Sequence, residues 1–248
     1  MTGSAHPGWL DRYRAGQRDQ VWRELRQLGA RVREPGLVEE AMLVCDEMAR
    51  RARHNVEVLV GRLSAEGFRF HGNDAARRPT VPFVPATPAD DEHATWLDRT
   101  VGPVPLTVLS WIRLVGDVWL VGTHPETEAL EGADPLVVEL VGSRYPGSSM
   151  REHVLDELEA WREEADPDQP MFVLPVAPDR LTKGDVSGGT PYGIVLPDSC
   201  ADGLFVGETT TSFVSYLNRV FASGGFPHPP PSVDGRWQTA LAQGLLPL

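Results

Sequence analysis

The sequence predicts an α+β fold, with an N-terminal helical hairpin followed by a mostly antiparallel sheet flanked by helices. Three observations carry this. The first 70 residues hold two amphipathic helical patterns. The later chain holds short β-type runs joined by links too short for a helix at every crossover, which argues against a doubly wound parallel sheet. A well-signalled helix interrupts those runs, and another closes them.

The elements follow in order. "RDQVWRELRQLG" places Val21, Trp22, Leu25 and Leu28 on one helical face, with Gly29 as the stop. After "EPG" at 34–36, Ala41, Cys45, Met48, Ala52, Val56, Leu59 and Leu63 recur at three- and four-residue steps. Glu39, Asp46, Arg50, Arg53 and Glu57 fall on the opposite face, and Gly67 ends the pattern with Phe68 over its last turn. This predicts a helix of about 28 residues, roughly 42 Å long at 1.5 Å per residue. Such a helix suits a hairpin docked on the rest of the chain better than a dimerising coiled coil, because its seam has several Ala and few Leu.

Residues 71–91 read as a proline-rich linker, partly docked through Phe83 and Val84. Residues 92–226 then read as the α+β domain and 227–248 as a proline-rich tail anchored by Trp237. Within the domain, "EHATWLDR" and "LTVLSWIRLVG" are expected helices, and "DVWLVG" and "DPLVVELV" expected strands. Ser149 and Glu152 make a capping box that starts a helix with Val154, Leu155, Leu158 and Trp161 facing inward. "MFVLPVAP" and "YGIVLP" are strands around the turn-rich "KGDVSGGTP". A last helix buries Phe213, Tyr216 or Leu217, and Val220.

Charge and composition bound the function. The 248 residues carry a net charge of −12. It is unevenly spread: residues 1–80 have 14 Arg against 11 Asp and Glu, a net +3, and the remainder carries −15. The acidic part repels nucleic acid and anionic membranes and attracts basic partners. Two cysteines, Cys45 and Cys200, make no disulfide framework. No apolar run of about 18 residues occurs and no leader pattern opens the chain, so a soluble, cytoplasmic protein is expected.

Chemistry-bearing motifs are scarce. None of the seven histidines pairs with another at metal-ligand spacing. "DDEH" at 90–93 and "THPE" at 123–126 each set carboxylates beside a His, the pattern of scattered surface groups. Neither a metal nor a cofactor is expected. No G-x-S-x-G elbow occurs, and Ser199 and Cys200 sit in a turn without a neighbouring base. The stretch "KGDVSGGTPYG", 183–193, holds the only lysine, Lys183, and could offer backbone N–H groups to an anion, although it matches no phosphate-loop spacing. If the protein is an enzyme, its site is expected here, with Lys183, Asp185 and Tyr192 as candidates and Asp198 nearby in sequence.

The order of elements resembles that of the SUKH superfamily, which groups bacterial immunity proteins with a fungal cell-wall-assembly regulator. The resemblance rests on Pro105, Leu106, Leu109, Trp111, Ile112 and Gly116, with Trp119 and Leu120 in the strand that follows. It spans roughly residues 92–226. Val115-Gly116 replaces the usual Asn-Gly, and the helix at 149–165 and the N-terminal hairpin are additional. The resemblance implies a binding protein with no fixed cofactor and no catalytic residues. The leading expectation is therefore a non-catalytic module that binds a basic protein partner. A small enzyme at 183–193 and an assembly role for the N-terminal helices are the alternatives.

Overall fold

The computed structural model describes residues 8–125, 132–142, 149–164, 171–186, 188–228 and 235–248. Ser187, Glu126 and the prolines at 229–231 lie outside them. The protein is α+β, and all strand pairings among the described residues are antiparallel.

Helices α1 (Trp9–Arg14), α2 (Arg18–Leu28) and α3 (Val38–Ala65) form the N-terminal layer. The 28 residues of α3 match the length expected from the repeat, and its seven stripe residues are all fully buried. Gly67 at φ 78 and buried Phe68 close it. Helix α1 has no pattern of its own because only six residues form it, and its Trp9 and Tyr13 pack into the same core. Asp46 departs from the exposed face assigned to it. It accepts hydrogen bonds from Ser110 Oγ at 2.7 Å and Arg113 Nη2 at 2.6 Å, so that edge of α3 is an interface.

That interface belongs to α5 (Leu106–Leu114), which follows α4 (Asp90–Thr100). Seven of its nine residues are buried, so α5 is apolar nearly all round and occupies the centre of the fold. It packs along α3 on one side and α4 on another. Trp111 contacts Phe213, and its indole N–H donates to Gly116 O at 2.9 Å.

The expected sheet is three small ones. β1 (Arg69–Phe70) pairs with β4 (Gly122–Thr123). β2 (Phe83–Pro85), β3 (Gly116–Trp119) and β5 (Val137–Val138) make a second sheet, so the docked part of the proline-rich stretch is an edge strand. β6 (Phe172–Ala177), β7 (Tyr192–Leu196), β8 (Leu204–Val206) and β9 (Thr210–Ser212) make the third. Pro175 lacks an N–H, and the β6–β7 register slips there, between Pro175 and Ala177. Glu139 N donates to Val176 O at 2.8 Å and links the second sheet to the third.

Helix α6 (Met150–Glu163) begins at the Ser149–Glu152 capping box, with both reciprocal bonds formed. Val154 and Leu158 are buried, but Leu155 is 47 % exposed. It lies one residue past Val154, about 100° round the helix and off the buried stripe. α7 (Arg180–Lys183) is a short turn of helix, α8 (Phe213–Ala222) lies under the third sheet, and α9 (Gly235–Ala242) carries Trp237 onto Phe226 at 5.2 Å between ring centroids. The hairpin, the sheets and the tail share one cluster of buried apolar side chains, reaching from Trp9 to Leu248.

His93 of the "DDEH" stretch is buried in α4. Its Nε2–H donates to Leu140 O at 2.8 Å, and its ring stacks on Trp96. Burial lowers its pKa below the ordinary 6.5, helped by Arg151 and opposed by the bond to Leu140. A lowered folded value favours the neutral form. His93 therefore contributes stability in full above about pH 6.5, and the contribution is lost as pH falls through the folded value. An NMR titration is expected to place its midpoint below 6.5; a midpoint at or above that value contradicts this account.

Candidate functional site

Of the four residues expected near the glycine-rich stretch, two converge. Asp179 caps α7 by accepting from Leu181 N and Thr182 N, and this turn aims Lys183 into the protein. Lys183 Nζ lies 2.6 Å from Asp134 Oδ1, and Tyr192 OH donates to Asp134 Oδ2 at 3.2 Å. The ammonium also sits 4.6 Å from the Tyr192 ring centroid. Asp134 precedes β5 and bears no sequence signal; its φ of 53 is left-handed, which Asp tolerates better than most residues. The Lys183 and Asp134 side chains are 1 % and 2 % exposed. Burial pushes the Lys183 pKa down against the pull of Asp134, and pushes the Tyr192 phenol up.

Asp185 is exposed on the turn after α7 and does not join this cluster. Asp198 is farther off, beyond the opposite end of β7, where its carboxylate accepts from Cys200 N at 2.8 Å. Burial, then Asp198, raises the Cys200 thiol pKa to about 11, the reverse of an activated nucleophile. The described part of the loop is not arranged as the anion cradle it could have offered: Lys183 turns inward, and Gly189 lies against the Asp179 carboxylate, closer than a Cβ would allow. The region gathers a buried ion pair with a phenol on it, and the side facing solvent is acidic.

The acidic side opens into a groove between α6 and β6. It consists of two hollows that share Glu157, Pro175 and Pro191. One is bounded by Glu139, His153 and Asp179, the other by Trp161, Glu164 and Met171. Four carboxylates thus line the groove, with no Lys or Arg among its described lining residues. The floor is apolar: Pro175, Val176 and Pro191 in the middle, and Trp161 packed on Phe172 at one end. His153 Nδ1 is 4.0 Å from Glu157. Asp179 is held ionised because Thr182 and the α7 amides outweigh its burial. The Ser149–Glu152 cap starts α6, and the β6–β7 register slips at Pro175; neither signal in the sequence says that α6 and β6 face each other.

Among the described residues, no group of three or more His, Cys, Asp or Glu is placed to hold a metal ion, and both cysteines are free. No described helix is long and apolar enough to cross a membrane. Fold and site together define an α+β protein with an acidic, apolar-floored surface groove. Comparison of the chain with models of protein families, with curated proteins and with solved structures finds no match.

Proposed function

We propose that this protein is a binding module that takes an extended basic segment of another protein into the groove between α6 and β6. The single observation that carries the reading is the lining: four carboxylates over an apolar floor, with no Lys or Arg among the described lining residues. Such a surface rewards Arg and Lys side chains at its walls and apolar side chains at its base. Trp161 adds an aromatic face for a guanidinium. The −15 charge of residues 81–248 speeds the encounter with a cationic partner and disfavours nucleic acid. The resemblance to SUKH proteins supports a finer version, in which the module sequesters a basic toxin-like protein in the cytoplasm. That version requires neither cofactor nor catalysis.

The test is fluorescence anisotropy with a labelled alternating Arg-Val octapeptide and its Glu-Val counterpart. The basic peptide is expected to bind with a Kd on the order of micromolar and to weaken as salt rises. Glu157→Lys is expected to weaken it about tenfold or more. Equal binding of both peptides, or indifference to Glu157→Lys, refutes the reading.

A second reading, a small enzyme, is favoured by one observation, the convergence of Lys183 and Tyr192 on Asp134. Against it stands the closure of that cluster, whose ion pair is almost wholly buried.

A further inference from the structure

The two hollows of the groove meet at Glu157 and Pro175, and each wall measures the step between them. On α6 the first hollow is centred between His153 and Glu157 and the second between Glu157 and Glu164. On a helix rising 1.5 Å per residue, those centres lie about 8 Å apart. On β6 the first hollow takes Pro175 to Ala177 and the second Phe172 to Pro175. At the rise of a strand, 3.3 Å per residue, those centres also lie about 8 Å apart.

The floor offers little to a segment that would pair as an extra strand. Pro175, Pro178 and Pro191 have no N–H, and Val176 O already accepts from Glu139 N at 2.8 Å. A polyproline II segment needs no ladder bonds, and its side chains return to the same side every third residue, about 9 Å further on. A β-strand returns every second residue, at about 7 Å and then about 13 Å. The polyproline II repeat is the one that matches the step between the hollows.

The second hollow also distinguishes between cations. Glu157, Trp161 and Glu164 follow at steps of four and three, so they share one face of α6, and all three line this hollow. Trp161 packs on Phe172, with ring centroids 6.0 Å apart, which steadies the indole. A guanidinium can stack on an indole while its edge donates to two carboxylates, whereas an ammonium is a compact point charge that gains less from both. The first hollow has Glu139 and Asp179 but no Trp, Tyr or Phe among its described lining residues, so it has no such preference. Building on the assignment of the groove to a basic segment, we infer that it reads two cationic side chains three residues apart on a polyproline II segment of the partner, and that the one over Trp161 is arginine.

The test is fluorescence anisotropy with labelled hexapeptides of two Arg and four Pro, in which the arginines stand two, three or four residues apart. The three-residue spacing is expected to bind about fivefold or more tighter than the other two. Lysine is expected to weaken that peptide about fivefold at one of its two arginine positions and to be tolerated at the other. Trp161→Leu is expected to abolish this difference, and Glu164→Gln, at an exposed position, to reduce it. The exposed variant keeps the test valid should Trp161→Leu fail to fold. Equal affinity for the three spacings overturns the inference, as does an equal effect of lysine at both positions or a difference that persists in both variants. In those cases the reading of the groove stands if the Arg-Val octapeptide still binds and still responds to Glu157→Lys. Failure of every basic peptide to bind overturns both.

Discussion

Lys183→Met is expected to lower the unfolding free energy by about 3–5 kcal/mol, because it strands a buried carboxylate. Asp134 is 2 % exposed and has two partners, the ammonium at 2.6 Å and the Tyr192 hydroxyl at 3.2 Å. Removing the cation leaves one neutral donor on a group that water cannot reach. The double variant Asp134→Leu with Lys183→Met is expected to be much milder, since a buried pair replaced by apolar groups is often near neutral. Urea denaturation of the three proteins provides the check. A loss below about 1 kcal/mol for the single variant means that the pair is effectively solvated and the account is wrong.

Gly116→Ala is expected to be comparably severe, about 3–5 kcal/mol, from strain and overlap combined. Gly116 opens β3 at φ 102, a conformation that L-residues rarely adopt. A Cβ there would lie 2.2 Å from Val84 O, in the edge strand that pairs with it, and 2.6 Å from the backbone N of Ala86, just after that strand. That strand cannot retreat without losing the Pro85–Gly116 register and disturbing the carbonyl that accepts from Trp111. Gly36 is the internal control. It also has positive φ, at 85, but a Cβ there meets nothing within 4 Å. Gly36→Ala is therefore expected to cost only about 1–2 kcal/mol. Equal losses at the two positions would show that the close approach of β2 to β3 contributes nothing.

The longer helices were readable because each carries its signal within a short window. The stripe from Ala41 to Leu63, the Ser149–Glu152 box and the Phe213–Val220 face all appear as expected. The exceptions are instructive. Leu155 satisfies a loose inward pattern yet faces solvent, because the layer above α6 covers only one narrow stripe. Asp46 sits on the polar face of α3, but α5 arrives there with Ser110 and Arg113. Division into three sheets is equally invisible locally, since pairing depends on which edges the helices bring together. Of the candidate site, Lys183 and Tyr192 were identified through their glycine-rich setting, and Asp185 and Asp198 were grouped with them by nearness along the chain alone.

Periodicity, end signals and charge were thus legible in the chain: an α+β order, a long docked helix, an acidic second part and the scarcity of catalytic motifs. Tertiary structure alone decided that Asp134, 49 residues before Lys183, would neutralise it. It alone set α6 beside β6 to gather four carboxylates. The reason is physical. A helix or turn is stabilised by neighbours within a few residues, whereas a buried charge or a groove wall is defined by atoms that only the packed core brings within 3 or 4 Å.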